Sequence, residues 1–156
     1  MSRLKACVDR TLEVVLAVLM TAMVLVVLWQ VATRFLLRDP SSVTEELARF
    51  GLMWLGLLGA SYGFGRNAHL AIDLIDPEHR SRGLDAIVAA TVVLFAVAVI
   101  VMGGFRLVEA TLALGQTSTA LRFERGYVYL ALPLSGVLVV FYTIEAAFTY
   151  HLHGSS

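Results

Sequence analysis

Along the chain, long apolar runs alternate with short clusters of charge. Four windows carry no Asp, Glu, Lys or Arg: Val14–Thr33, Phe50–Gly65, Ala86–Phe105 and Gly126–Ile144, of 20, 16, 20 and 19 residues. A hydrocarbon core of about 30 Å takes roughly 20 residues of helix at 1.5 Å each. Three windows meet that length outright. The second meets it if its helix starts near Thr44 and Arg49 snorkels or finds a carboxylate. The apolar residues run continuously instead of alternating, which disfavours a membrane β-barrel. The pattern therefore predicts an all-α membrane protein. One domain, 1–156, would hold four transmembrane helices over about 12–36, 44–65, 84–106 and 126–148, with a long third helix and short interfacial segments.

Local signals refine these elements. Asp39-Pro40-Ser41-Ser42 reads as a turn, and Ser42 with Glu45 fits a capping box that opens helix 2. Ala68–Ile75 mixes apolar residues with His69 and Asp73, as a segment lying at the interface would. Asp76-Pro77-Glu78 reads as an N-cap, a first-turn proline and an acidic first turn. Helix 3 would then run from Pro77 to Leu114 and stop at Gly115, with Gly103-Gly104 as a place to bend. That is about 57 Å, long enough to tilt or project. Gln116–Arg125 is a polar connection, and Pro133 inside helix 4 is expected to kink it. Arg3, Lys5 and Arg10 imitate the basic start of a signal peptide. The uncharged run exceeds a normal signal core, however, and Val31-Ala32-Thr33 is a poor cleavage site, so helix 1 is expected to be retained.

Composition agrees with a membrane protein: 58% apolar side chains and a mean hydropathy of +0.79. With 12 Lys+Arg against 12 Asp+Glu, there is no basic footprint for nucleic acid. One cysteine, Cys7, excludes an internal disulfide and any multi-cysteine metal cluster. Four spans put both termini on one side. If that side is the cytoplasm it holds Arg3, Lys5, Arg10, Arg66, Arg80 and Arg82, while Arg34, Arg38, Arg49, Arg106, Arg122 and Arg125 lie opposite. The raw count ties. The three basic residues before helix 1, and the carboxylates beside several of the opposite arginines, favour cytoplasmic termini. Trp29, Phe35, Tyr127 and Tyr129 then form one aromatic belt, with Tyr62, Phe64, Tyr142 and Tyr150 forming the other.

Chemistry is sparse. There is no G-x-S-x-G, H-E-x-x-H or P-loop, so no catalytic residue is expected. His69, His79, His151 and His153 all lie outside the charge-free windows, where a membrane haem would want facing histidines. No cofactor or metal is expected. The sharpest feature is Glu45, Glu46 and Arg49, spaced so that both carboxylates reach the guanidinium, with Arg34 as a second cation nearby. Two roles stand open for this cluster: an ion-pair network locking helix 1 to helix 2, or a surface for a partner. Helix 2 also carries Gly56, Gly59 and Gly63, small residues that let helices approach closely, within the chain or against a partner.

These residues carry a resemblance. Arg34-Phe35-Leu36, Thr44-Glu45-Glu46-Leu47-Ala48-Arg49, Trp54-Leu55-Gly56-Leu57-Leu58-Gly59-Ala60, then Arg66, His69 and Asp73, resemble the small membrane subunit of tripartite ATP-independent periplasmic (TRAP) transporters, DctQ type. Tyr129-Leu130-Ala131-Leu132-Pro133 looks like the family's Tyr-x-x-x-Pro start to the last helix. Val43 departs from the tryptophan often found before Thr-Glu-Glu.

The resemblance implies an inner-membrane scaffold without enzymatic activity. It would pair with a large permease subunit carrying substrate and sodium sites, and share a docking surface for a periplasmic binding protein that captures an organic acid. Arg34, Glu45, Glu46, Arg49 and Trp54 would organise the helix 1–helix 2 region and its contact with the large subunit. Arg66, His69 and Asp73 would order the cytoplasmic connection, and Arg122, Glu124 and Arg125 would face the binding protein. Membrane lipid would be the remaining neighbour. Two rivals are a haem- or quinone-linked anchor of a redox enzyme, with His69 and His151 as ligands, and a self-contained small transporter.

Overall fold

The computed structural model describes residues 3–37, 42–73, 82–118 and 120–153, without the side chains of 37, 67–73, 82–86 and 147–153. The regular elements among them are all helical. Helix α1 is Arg3–Ala32, closed by a π-helical turn over Thr33–Leu37, and α2 is Ser42–Asp73. Helix α3, Arg82–Phe95, passes through a π-helical stretch, Ala96–Val101, into α4, Met102–Ala113. A short α5, Gly126–Tyr129, precedes α6, Ala131–His153. Among the described residues, three stretches are long and apolar enough to cross a membrane: Arg3–Leu36, Ile87–Ala113 and Gly126–Ala146.

Several sequence signals hold. Helix α2 opens at Ser42, where the capping box sits. The third long helix ends as expected: Gly115 takes φ +58, donates its N–H to the Leu112 carbonyl, and the Gln116 N–H reaches Thr111 O. That is a Schellman ending, which a residue without Cβ makes easily. The turn at Asp39-Pro40 and the helix start at Asp76-Pro77-Glu78 lie outside the described residues.

Other expectations are corrected. Helix α2 does not stop at 65 but stays helical to Asp73, because no glycine or proline interrupts Arg66–Asp73. The segment 68–73 therefore extends α2 instead of forming a separate interfacial piece. By contrast, at Pro133 the last span is interrupted as a proline would have it: a turn at Leu130 separates α5 from α6, beside the Tyr129 carbonyl that residue 133, lacking an N–H, cannot serve. The irregularity of the third long helix falls at Ala96–Val101, upstream of Gly103-Gly104.

Helix α2 packs along both α1 and α6, and α6 packs against α3, the π-helical stretch and α4. The chain order gives the directions. Glu13 meets Tyr62 while Met23 meets Gly51, so α1 and α2 are antiparallel. The Ser61 hydroxyl donates to Ser135 O at 3.1 Å and Gly65 abuts the Tyr142 ring, so α2 and α6 run parallel. Buried Leu12, Leu58 and Tyr142 form the core where α1, α2 and α6 converge. Glycine sets the approach of α4 to α6. A Cβ on Gly104 would stand 2.8 Å from Pro133 Cδ, and one on Gly136 would stand 2.8 Å from Val101 Cγ2. The outer faces stay apolar and open: none of the most apolar stretch of α1 is buried, against 39% of that in α6.

Candidate functional site

Two polar clusters cap this bundle at opposite ends. At the loop end, where α2 begins and residues 116–125 cross over, Glu46 is buried. It accepts hydrogen bonds from the Ser118 hydroxyl and from the Ala120 N–H, the latter at 3.1 Å. The Ser118 Oγ also accepts from the Leu121 N–H, 3.0 Å. Arg125 adds an ion pair, its terminal nitrogen 3.7 Å from Glu46 Oε1. A bridge between Thr117 and Glu124, with Ser118 N–H donating to Phe123 O, folds this crossover back on itself, and Phe123 packs edge-on to Phe50. One carboxylate at the head of α2 thus fastens a loop more than 70 positions away in sequence.

The expected triad therefore divides. Glu45 and Arg49 do pair, at 3.0 Å across one exposed helical turn. Glu46 instead points the other way, to Ser118 and Arg125, because adjacent residues on a helix face directions about 100° apart. Arg34 is exposed at the end of α1, and no described ion pair joins it to Glu45 or Glu46. Trp54 does bridge α1 and α2: it packs on the Leu12–Leu58–Tyr142 core and walls an apolar groove of about 330 Å³. Met23, Phe50, Phe123 and Tyr127 line the same groove. Of the outer trio, Arg122, at φ 55, and Glu124 are exposed, whereas Arg125 is turned toward Glu46. A Cβ at Gly56 or Gly63 would meet nothing within 4 Å and one at Gly59 only Leu16, at 3.9 Å. The close glycine contacts within the chain are elsewhere, at 51, 65, 104, 126 and 136.

The second cluster, at the end where α1 begins, was missed in the sequence. Lys5, Asp9 and Glu13 recur every fourth residue and so share one face of α1. Lys5 pairs with Glu145 at 3.3 Å, both side chains largely buried. The Tyr142 hydroxyl donates to Asp9 at 2.6 Å, and the Tyr62 hydroxyl to Glu13 at 2.6 Å. Arg66 donates to the Tyr62 oxygen at 3.0 Å, a bond that holds its guanidinium above the ordinary arginine range. Tyr62 and Tyr142 are thus cross-helix donors. The i, i+4, i+8 spacing was the available signal. The side chains of His69, Asp73 and His151 lie outside the described residues. Among those described, no group of three or more His, Cys, Asp or Glu is placed to hold a metal ion.

Two polar fasteners and three stretches long and apolar enough to cross a membrane suit a membrane component. Comparison with known families places it: residues 23–150 match the family described as tripartite ATP-independent periplasmic transporters, DctQ component. The chain belongs to the DctQ family. A DctQ component is a TRAP small permease subunit, which makes this a multi-pass inner-membrane protein, and such subunits are not enzymes. The sialic acid TRAP transporter small permease protein SiaQ of Vibrio cholerae serotype O1 is 28% identical over 152 residues, covering 93% of this chain and 84% of that protein. A protein of Haemophilus influenzae named as a TRAP transporter small permease is 28% identical over 68 residues, 44% of this chain and 42% of its own. Small subunits of this family work with a large permease and a binding protein.

Proposed function

We propose that this subunit is a static scaffold for a large permease in sodium-driven, binding-protein-dependent uptake of an organic acid. The V. cholerae relative, named for sialic acid, makes an acidic sugar the first substrate to try. The observation that carries the scaffold reading is the pair of polar fasteners. Lys5, Asp9 and Glu13 bind α1 to α2 and α6 at one end, while Glu46 binds α2 to the crossover at the other. Helices tied at both ends suit a fixed body better than a moving one.

In this reading α2 is the fourth span. It packs along two apolar spans through Phe50–Gly65, so it shares their slab, and its 32 residues, about 48 Å, exceed the hydrocarbon core and leave its charged ends in water. Both termini are cytoplasmic, and Arg66, His69 and Asp73 order the cytoplasmic extension of α2. The outward face of α2, with the Glu45–Arg49 pair, Gly56 and Gly63, meets the large subunit. Exposure of Arg49 and the empty space over both glycines support that assignment. Arg122 and Glu124 contact the binding protein, while Arg125 supports their loop through Glu46. The test is Arg49→Ala. It should reduce both recovery of the large subunit and substrate uptake; unchanged values for both would remove the role assigned to the pair.

A further inference from the structure

Arg122 stands in a backbone conformation that an arginine rarely takes. Its φ of 55 lies in the left-handed region, where a Cβ crowds the following carbonyl and glycine is the usual occupant. The crossover holds it there. Arg122 N–H donates to Ser118 O at 3.1 Å, Ser118 N–H to Phe123 O at 2.8 Å and Arg125 N–H to Gln116 O at 2.9 Å. The Ala120 amide is taken by Glu46, and the Leu121 amide by Ser118 Oγ, which itself donates to Glu46. Every amide from Ala120 to Arg122 is thus bonded, two of them through one buried carboxylate at the head of α2.

The same bonds fix which side chains face out. Leu121, Phe123 and Arg125 are partly buried, Phe123 against Phe50 and Arg125 toward Glu46, while Arg122 and Glu124 between them are exposed. Such alternation is that of an extended ladder, which sends successive side chains to opposite faces. Thr117, the bridge partner of Glu124, is exposed as well. A strained residue in an over-determined loop marks a functional position. Glycine would suit this backbone better, and what arginine adds is an outward guanidinium.

We propose that the crossover is a preformed docking tip, in which Arg122 meets a carboxylate of the periplasmic binding protein and Glu46 is the residue that positions it. A guanidinium offers a carboxylate paired donors, and a loop fixed before the encounter spends little ordering entropy in it. Glu124 on the same face disfavours an anionic lipid headgroup, which it would repel, and favours a protein surface offering both signs of charge. The inference rests on the reading that this end of the bundle faces the binding protein.

The test uses the assembled permease, this chain with its large subunit, in phosphatidylcholine nanodiscs. Affinity for the transporter's own binding protein is measured by biolayer interferometry, after equal recovery of the large subunit is checked for each variant. Arg122→Ala should weaken docking about tenfold, the worth of a charge-assisted hydrogen bond, and Arg122→Lys should restore most of it. Arg122→Gly separates shape from charge: it relieves the backbone yet should lose the same affinity. Glu46→Ala should weaken docking about threefold in the wild-type background. In the Arg122→Ala background it should cost nothing further, because Glu46 acts through Arg122, whereas a purely structural role would cost the same in both.

Thr117→Trp, which crowds the same face, separates this inference from the reading beneath it. Lost docking in Thr117→Trp with full affinity in Arg122→Gly would overturn the role of Arg122 alone. Full affinity in both would contradict the placement of the binding protein at this end. Equal losses for Glu46→Ala in both backgrounds would overturn its positioning role. A dependence on Arg122 seen only in nanodiscs containing phosphatidylglycerol would give the guanidinium to lipid headgroups and overturn the protein contact.

Discussion

Gly103 and Gly104 are neighbours in α4, yet the packing assigns them opposite roles. A methyl group on Gly104 would sit 2.8 Å from Pro133 Cδ, 2.9 Å from the Pro133 backbone nitrogen and 3.2 Å from Leu132 Cβ. Proline ring and backbone cannot swing aside, so Gly104→Ala must push α4 and α6 apart. Overpacking of this kind costs about 1–3 kcal/mol, offset by at most about 1 kcal/mol of helix propensity gained over glycine. The net loss should be about 1–2 kcal/mol. At about 2–4 °C per kcal/mol for a chain of this size, the melting temperature should fall by roughly 2–8 °C. Gly103→Ala meets nothing within 4 Å and keeps only the propensity gain, so it should raise the melting temperature by roughly 1–4 °C. Gly136→Ala presses on Ile100 and Val101 across the same interface. Paired with Gly104→Ala, it should cost less than the sum of the two, since the first substitution already opens the gap. The assay is thermal unfolding of the detergent-solubilised chain, followed by size-exclusion of a fluorescent fusion. Equal shifts for 103 and 104, or Gly104→Ala melting at or above wild type, would refute the close crossing of α4 and α6.

Three further outcomes follow from the polar contacts and the open glycines. Tyr142→Phe removes a hydroxyl donated to the Asp9 carboxylate from a side chain only 1% exposed. It should destabilise by about 1.5–3 kcal/mol in the same melting assay, and no shift would show the bond idle. Glu46→Ala should speed amide hydrogen exchange at Ala120 and Leu121, read by mass spectrometry, while the middle of α6 keeps its protection. Unchanged exchange at both amides would mean that Glu46 does not fasten the crossover. A Cβ at Gly56 or Gly63 meets nothing within 4 Å, so Gly56→Ala and Gly63→Ala should leave the isolated subunit melting at or slightly above wild type, by the propensity gain expected at Gly103, while recovery of the large subunit falls. Normal recovery would place the partner on another face.

What could be read from the sequence was what neighbouring residues decide. The start of α2 at Ser42 and the Schellman ending at Gly115 depend on contacts within a turn or two, and both were visible in the residue types. The extension of α2 to Asp73 was missed because a mixed polar–apolar stretch suggested a break, although nothing in it interrupts a helix. Pro133, by contrast, was legible: the turn at Leu130, three residues upstream, is where a proline's missing N–H interrupts a helix. At the sites, Glu45–Arg49 was legible as an i, i+4 pair. The partners of Glu46 were not, because Ser118, Ala120 and Arg125 reach it through the tertiary fold. The same distance hid Lys5–Glu145 and Tyr142–Asp9, though the four-residue rhythm of charge in α1 marked the face that would need them.

The central claim is that this chain is the scaffold half of a TRAP permease. The most direct test is to tag it, solubilise native membranes in mild detergent, identify what co-purifies by mass spectrometry, and record the visible spectrum of the same sample. The account predicts a large multi-span permease in one-to-one ratio and no haem band. A soluble flavoprotein or iron–sulfur partner, accompanied by a haem band, would contradict it and return His69 and His151 to consideration as ligands.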